Sequence, residues 1–405
     1  MATTSIHSYD PLDPRVLADP YPFYEVLRRD APVAHVDSLQ AYAVSRHADV
    51  RRVMHEHETF SSKAMADLVD RPASYSRDAG SGADADDNIS IVGTDGPTHA
   101  RLRTIVNRGF SPRRMGELEN EMRTVARRLV SDAPADAPWD LHEVLAAPLP
   151  TTVISTLLGV DPARRDDFHR WSADMIFGVF EQANCEQQRA VADSAAQMAD
   201  WIDRTVAARA DTDGDDLISV LLRAELEGGA LSANEVRAFV FTLLVAGSIT
   251  TAYLIANATA ALLDRPELWA ACRQDTTRIG AVVEESLRYD APVQIMFRTT
   301  TRDVEIAGDR LPAGTTILAL LGSANRDPEI FDDAERFDPS RDTRDHLAFG
   351  HGVHFCLGAA LARLEARVAL EVLLEDLPNL RVAGPATLVD SMVFRGPASL
   401  PVSAG

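Results

Sequence analysis

The amino-acid sequence predicts a mainly α-helical fold with a minor β region, an α+β class weighted towards helix. Helical periodicity runs through residues 98–209 with few interruptions, and residues 359–377 form a strongly amphipathic pattern that Pro378 ends. Residues 238–263 carry no charged side chain. Because a helix that is apolar on all sides belongs in the core of a large protein, this segment predicts a buried central helix.

Short elements are predicted in the N-terminal part of the chain. A proline-rich start after Asp19 predicts a short capped helix. Residues 31–36 and 41–45 predict two strands with the turn at Gln40, and residues 49–54 predict another helix.

Residues 61–95 contain a polar, glycine-rich run that predicts a long mobile loop. Long loops in compact domains are often functional, and plain disorder is the alternative. Proline and glycine then divide the helical region, which predicts breaks at residues 111–112, 134–138, 148–150 and 159–162.

Ser232 and Glu235 are spaced as a capping box, which predicts that the central helix spans residues 232–264. The remaining predicted elements are a helix from Pro266, a helix over residues 279–289, and strands with turns in residues 293–306 and 315–321.

The composition is that of an ordinary globular protein with an acidic balance. The 405 residues are 46% hydrophobic and carry a formal net charge of −21, which disfavours nucleic acid and anionic membranes as partners. No linker or repeat divides the chain, so we expect a single domain over residues 1–405. Three cysteines without close spacing and the lack of a secretory pattern at the N-terminus predict a cytoplasmic protein.

Residues 238–263 are also long enough to cross a bilayer. They include several hydroxyl side chains and an amide, and they lack a flanking basic or aromatic belt. We therefore favour a buried helix over a membrane span.

The most informative segment is residues 349–358, Phe-Gly-His-Gly-Val-His-Phe-Cys-Leu-Gly, directly before the last predicted helix. Its glycines allow a tight loop, and the helix N-terminus beside Cys356 favours the thiolate, a good ligand for a redox-active metal. The alternatives are an inert buried cysteine and a zinc site with His351 and His354. The spacing lacks the fourth ligand of a zinc pattern.

This segment resembles the haem-binding signature of the cytochromes P450, Phe-Gly-x-Gly-x-(His/Arg)-x-Cys-x-Gly. The resemblance implies a cytochrome P450-like fold, haem b (iron protoporphyrin IX) as cofactor and Cys356 as the ligand of the haem iron. It also makes Phe349, Gly350 and Gly358 cofactor-binding residues. An axial thiolate favours cleavage of the O–O bond, so the implied activity is that of a monooxygenase.

Two further motifs match the same family. Glu285 and Arg288 match its Glu-x-x-Arg motif, and Arg336 resembles the arginine that joins this pair, so we expect a structural network of these three side chains.

Four cations match the residues that meet the haem propionates. His99 and Arg103 lie one helical turn apart, and Arg298 and His354 complete the set. Arginine suits this role because it binds carboxylates with two hydrogen bonds.

Residues 246–251 resemble the family's Ala/Gly-Gly-x-(Asp/Glu)-Thr-Thr segment on the distal side of the haem. By resemblance Gly247 leaves room for dioxygen, and Thr250 binds it and relays protons; ordinary packing of small residues is the alternative. Ile249 replaces the usual carboxylate, which speaks against acid-assisted proton delivery. Thr250 and Ser248 with ordered water could replace it, or the enzyme performs an atypical oxidation that demands fewer protons.

The resemblance also implies a substrate cap in residues 61–95 and 176–184 and an opposite wall near residues 293–297 and 392–394. Such a pocket suits a small, largely apolar organic molecule. The residues expected to contact it are Phe177, Phe180, Val245, Ile249, Ile295, Met296 and Phe394.

The sequence shows no reductase module, so the resemblance implies a separate ferredoxin or similar electron donor. A basic patch would steer such an acidic partner, with scattered surface arginines as the alternative. The candidate residues are Arg101, Arg108, Arg113, Arg114, Arg363 and Arg367. A haem-binding protein without turnover is the remaining alternative to an enzyme.

Overall fold

The structure is a computed structural model. It describes residues 9–65, 90–110, 112–134, 136–180, 185–209, 214, 216–224 and 231–404, except the side chains of residues 112–113, 162, 165 and 176–180. Most of the predicted cap loop, residues 66–89, lies outside the described residues.

Helices predominate among the described elements, which confirms the predicted mainly α fold. They are α1 Pro14–Ala18, α2 Tyr21–Asp30, α3 His47–His55, α4 Gly96–Asn107, α5 Pro112–Ser131, α6 Pro148–Leu157, α7 Arg165–Phe180, α8 Cys185–Arg209, α9 Leu217–Arg223, α10 Ala233–Leu263, α11 Pro266–Gln274, α12 Ile279–Tyr289, α13 Leu321–Ala324 and α14 Ala359–Asp376. A π-helical turn, His142–Ala146, precedes α6.

Short strands make up the β region. They are β1 Val33–Val36, β2 Ala41–Val44, β3 Phe60–Ser61, β4 Trp139–Asp140, β5 Ile295–Thr300, β6 Val304–Ile306, β7 Asp309–Leu311, β8 Thr316–Leu320, β9 Arg381–Val382, β10 Thr387–Leu388, β11 Pro397–Ser399 and β12 Pro401–Ser403.

The chain divides into two compact units, each assembled from separate segments. The first unit comprises Met1–Ser61, Arg123–Ala147 and Thr250–Gly405 and contains all described strands. The second comprises Ser62–Met122 and Pro148–Ile249, and its described elements are helices. Since α5 and α10 each run from one unit into the other, the division does not follow the chain, and the single domain over residues 1–405 stays a prediction.

The main sheet of the first unit has the strand order β1-β2-β8-β5-β3. The predicted hairpin is confirmed: Val36 pairs with Ala41, and Gln40 has a φ of 48° in the turn between them. β8 lies parallel to β2 and antiparallel to β5, so Arg298 pairs with Ile317 inside the sheet.

The predicted break at residues 148–150 falls at a boundary between helical elements, where the π-helical turn His142–Ala146 ends and α6 begins at Pro148. Proline is tolerated in the first turn of a helix, where the amide that it lacks would have no intrahelical partner.

The predicted capping box opens α10. The Glu235 amide donates to Ser232 Oγ at 3.1 Å, and the Ser232 amide donates to the Glu235 carboxylate at 2.8 Å. In the same unit, Arg101 of α4 forms an ion pair with Glu235. This single carboxylate therefore caps α10 and ties its first turn to α4.

By length and composition alone, α10 could cross a membrane, since its most apolar window has a mean hydropathy of 2.0. In the structure 72% of that window is buried within the protein. The burial supports the core-helix interpretation of residues 238–263.

A carboxylic acid lies inside the first unit on α14. Glu365 is 1% exposed, and its Oε2 has no hydrogen-bond partner among the described residues. Burial raises the pKa of Glu365 well above 4.5, because desolvation penalises the charged form. Burial therefore favours the neutral form of Glu365 in the folded protein.

We predict that Glu365→Gln stabilises the protein increasingly as the pH rises. In the unfolded wild-type chain the carboxyl loses its proton near its ordinary pKa, whereas the folded chain keeps it. The free energy of unfolding of the wild type therefore falls by up to about 1.4 kcal/mol per pH unit from pH 5 until the folded pKa is reached. Urea unfolding between pH 5 and 8 measures the difference between variant and wild type.

Glu371→Gln on the same helix is the control. The Glu371 carboxylate forms ion pairs with Arg123 and Arg367, so its loss should destabilise the protein at pH 7. A constant offset between the Glu365→Gln variant and the wild type across the pH range would contradict the prediction.

Candidate active site

The loop before α14 holds Cys356 in a defined conformation. Gly350 and Gly352 have φ values of 70° and 75°, which favour glycine. The Cys356 amide donates to the Phe349 carbonyl at 2.9 Å and closes the loop, and Gly358 is the N-cap of α14. The cysteine itself is exposed. The sequence interpretation of a tight glycine loop that presents this thiol at a helix N-terminus is confirmed.

The loop also packs closely against α3. A Cβ atom at Gly352 would lie 3.1 Å from the Met54 carbonyl oxygen and the same distance from His55 Cα. Since both neighbours are backbone atoms, they cannot give way as a side chain would. Glycine is therefore required here by space as well as by conformation.

Glu285 and Arg288 form the buried ion pair that the Glu-x-x-Arg motif predicts. Arg288 donates to both oxygens of Glu285 at 2.7 and 2.8 Å, and both side chains are 0% exposed. Arg288 also donates to the carbonyl of Asn325 at 3.0 Å, and the Asn325 side chain accepts the Leu347 amide at 2.6 Å. Hydrogen bonds thus connect the ion pair to the residues directly before the Cys356 loop.

The predicted role of Arg336 needs correction. Its side chain is exposed, and it joins the network through its backbone carbonyl, which accepts from Arg288 Nη2 at 3.1 Å. Arg341 Nε lies 3.5 Å from Glu285 Oε1 and is the second guanidinium near this carboxylate. Sequence spacing alone does not show whether the guanidinium of Arg336 or that of Arg341 points towards Glu285.

A second set of contacts holds Phe349. Arg363 of α14 lies over the Phe349 ring, with Cζ 4.4 Å from the ring centroid, and pairs with Glu284 of α12 at 2.6 and 2.9 Å. Burial opposes ionisation of Glu284, but hydrogen bonds from His346 and Arg363 outweigh it and lower the pKa of Glu284 to about 2. The pair is therefore charged at neutral pH. Sequence reasoning missed the roles of Glu284 and His346.

The four predicted propionate ligands are divided between the units. His99 and Arg103 lie one turn apart on α4 of the second unit, and His99 is buried. Arg298 on β5 and His354 in the Cys356 loop belong to the first unit. Arg298 is 1% exposed and donates from Nη1 to the Phe297 carbonyl at 2.8 Å. Their common role at propionates stays a prediction.

On α10 the structure gives Gly247 a packing role. A Cβ atom at this position would lie 2.6 Å from Cδ1 of Ile154 on α6, in the same unit. Close approach of these two helices therefore requires a glycine. The small-residue packing that the sequence left open as an alternative is present, and room for dioxygen stays a prediction.

The exposed positions on α10 define one face of this mostly buried helix. Ala246 is exposed and Thr250 partly exposed, one turn apart, whereas Val245 and Ile249 are buried. Ser248 is 4% exposed, and its Oγ has no hydrogen-bond partner among the described residues. Because a buried unpaired hydroxyl is costly, Ser248 is suited to bind a water molecule or another polar group.

The predicted substrate residues are only partly tested. The side chains of Phe177 and Phe180 lie outside the described residues. Ile295 and Met296 cannot both face one pocket, because neighbouring residues of β5 point to opposite faces of the sheet. Met296 is on the face of Arg298 and packs against the core of the sheet.

Ile295 and Phe394 instead line a cavity in the first unit together with Met392, of about 270 Å³ including its opening to solvent. Gln294 also lines it, and the buried Gln294 Oε1 has no hydrogen-bond partner among the described residues. Gln294 lies in the predicted wall of residues 293–297, but sequence reasoning did not name it as a residue that contacts the substrate.

The comparisons with known proteins agree with these features. The family model for cytochrome P450 matches residues 44–378. The chain belongs to the cytochrome P450 family. It is 39% identical over 359 residues to the erythromycin C-12 hydroxylase of Saccharopolyspora erythraea, covering 88% of this chain and 86% of that protein. It is also 39% identical over 398 residues to the cytochrome P450 monooxygenase PikC of Streptomyces venezuelae, covering 95% and 91%.

The fold agrees as well. The solved structure of cytochrome P450 CYP109Q5 from Chondromyces apiculatus matches with a TM-score of 0.89 and 40% identity over 98% of both chains. As a P450 monooxygenase, the protein is an oxidoreductase, and its family implies a haem cofactor. The alternative of a haem-binding protein without turnover is therefore wrong.

The residues present fit a haem. An exposed cysteine at the N-terminus of α14 can supply a sulfur ligand, and Arg298 of the same unit is suited to a carboxylate. No group of three or more metal-ligating side chains occurs among the described residues, so the zinc alternative gains no support.

We predict that Gly247→Ala destabilises the protein by about 2 kcal/mol, because the added methyl overpacks against Ile154. Gly280→Ala is the control, since a Cβ atom there, within α12, meets nothing within 4 Å. That variant should be more stable by about 0.5–1 kcal/mol through helix propensity. Thermal unfolding with the double variant Gly247→Ala/Ile154→Val, which should recover part of the loss, tests the contact with Ile154.

Proposed function

We propose that the enzyme binds haem b through the thiolate of Cys356 and oxidises a small, largely apolar organic molecule. It uses dioxygen and electrons from a separate ferredoxin or similar donor in the cytoplasm. The observation that carries the proposal is the position of Cys356, exposed at the end of a glycine loop that two networks of ion pairs hold in place. When bound, the haem supplies the activation of dioxygen, and the chain supplies binding, orientation and protons.

The cations give the haem its orientation in this proposal. As the family resemblance implies, we propose that His99, Arg103, Arg298 and His354 bind the propionates. Arg298 is already fixed by its hydrogen bond and by the surrounding sheet. Little side-chain entropy is therefore lost when it binds an anion.

In this proposal the hydroxyl groups of Thr250 and Ser248 deliver the protons. Thr250 is partly exposed on α10, and the buried Ser248 hydroxyl is available to hold a water molecule nearby. Ile249 is 8% exposed and has no ionisable proton to deliver. We infer that Thr250 and Ser248, with ordered water, relay protons without a carboxylate at position 249.

The proposed substrate class is supported by the apolar character of Val245, Ile295 and Phe394 and by the relatives. One relative is named for hydroxylation of erythromycin, and another solved relative is described in complex with testosterone. The residues proposed to face the substrate are apolar, so a bulky and mostly apolar molecule fits them.

Three of the six arginines predicted to dock the electron donor form ion pairs within the protein. Arg101 pairs with Glu235, Arg363 with Glu284, and Arg367 with Glu371. These three cations are neutralised within the protein, so the predicted basic patch is weaker than the sequence implies. Arg108 remains exposed and Arg114 donates to a backbone carbonyl, while the side chain of Arg113 lies outside the described residues.

We predict that Cys356→Ser abolishes the far-shifted Soret band of the reduced carbon monoxide complex, because only an anionic sulfur ligand produces it. Cys185→Ser is the matched control, since Cys185 is also an exposed cysteine. Its spectrum should equal that of the wild type. Retention of the band in the Cys356→Ser variant would rule out this ligand.

We also predict that Ile249→Glu raises the amount of product formed per electron consumed several-fold, because it restores an acid beside Thr250. Ile249→Gln is the control, since it has a similar size but no ionisable proton. The measurement compares product formed with reduced donor consumed. Equal coupling in both variants would remove position 249 from proton delivery.

A further inference from the structure

Arg363, Glu284 and Phe349 form a cluster in the first unit whose charges have no assigned role in the proposed function beyond holding the loop. Arg363 donates through Nε and Nη2 to the two oxygens of Glu284, at 2.6 and 2.9 Å. Its guanidinium plane thereby stays over the Phe349 ring. A guanidinium over an aromatic face is attracted by the ring, more strongly where water is excluded.

His346 completes the cluster and has a defined hydrogen-bond pattern. Its Nδ1 accepts the Ala348 amide at 3.2 Å, so the ring proton lies on Nε2, which is 3.1 Å from Glu284. The His346 side chain is 5% exposed. In this tautomer His346 is neutral, and Arg363 and Glu284 carry the two opposite charges of the cluster.

The cluster is coupled to Cys356 through the backbone. Phe349 lies at one end of the loop, and its carbonyl accepts the Cys356 amide at 2.9 Å. The Phe349 ring also lies 6.2 Å from the ring of Phe355, the residue before Cys356. A displacement of Phe349 therefore shifts the residue that carries the sulfur.

We propose that Arg363 and Glu284 act as a charge-balanced clamp on Phe349 that fixes the Cys356 loop and sets the reduction potential of the metal bound there. This inference rests on the proposed function, because it takes Cys356 as the metal ligand. Arg363 and Glu284 are positioning residues in it, and neither touches substrate. Arg363 is thereby assigned to an internal role instead of partner docking.

Removal of either charge of the clamp should shift the reduction potential, and the two removals should shift it in opposite directions. Reduction adds one negative charge to the metal–thiolate centre. An unbalanced cation nearby favours the reduced state and raises the potential, whereas an unbalanced anion lowers it. Glu284→Gln leaves Arg363 unbalanced, and Arg363→Gln leaves Glu284 unbalanced. The double variant removes both charges.

The experiment measures the reduction potential of the purified holoenzyme and its four variants. We expect a higher potential for Glu284→Gln, a lower one for Arg363→Gln, and a return towards the wild-type value in the double variant. Arg363→Lys keeps the charge without the flat stacked group, so its potential should stay close to the wild type. Its far-shifted Soret band should be lost faster on warming, because the loop is held less firmly.

Arg367→Gln is the matched control, since it removes an arginine one turn further along α14 that pairs with Glu371. Its potential should move less than that of Arg363→Gln. A shift of both single variants in the same direction, or no shift in either, would overturn the clamp. The lack of the far-shifted band in the wild type would instead overturn the proposed function.

Discussion

The buried pair of Glu285 and Arg288 is the constraint on which the active-site region depends. Two fully buried charges are tolerable only while each remains paired, and removal of one partner from such a pair typically costs about 3–5 kcal/mol. Arg288 has further donors and uses them on backbone carbonyls of the segment that leads to Cys356. The ion pair thus fixes a stretch of chain that has little regular structure of its own. Through Asn325 this order extends to Leu347, and from there the Cys356 loop begins.

Local patterns in the sequence predicted the elements that depend on neighbouring residues. The turn at Gln40, the capping box at Ser232 and the helix that ends at Tyr289 all follow from preferences within a few residues. The Cys356 loop belongs to the same group, because its glycines and the helix behind it are contiguous in sequence. For such features, hydrogen bonds and backbone conformations are specified by the segment itself.

Features that depend on distant partners could not be predicted. Whether Arg336 or Arg341 turns towards Glu285 depends on how the intervening chain bends. The reason for Gly247 is a side chain on another helix, and the opposed directions of Ile295 and Met296 depend on the pairing of β5. In each case the sequence identified the residue, but the neighbour that determines its structural role lies far away in sequence.

The capping carboxylate of α10 has a consequence for the far end of that helix. Glu235 is bound at once by the Ser232 amide and by Arg101, so the first turn of α10 cannot rotate about its axis without breaking both contacts. A regular helix transmits this angular setting along its length. The direction of the Thr250 side chain, about 22 Å further along the helix, therefore depends on the contacts of Glu235. A largely buried carboxylate thus sets the rotation of the whole helix about its axis.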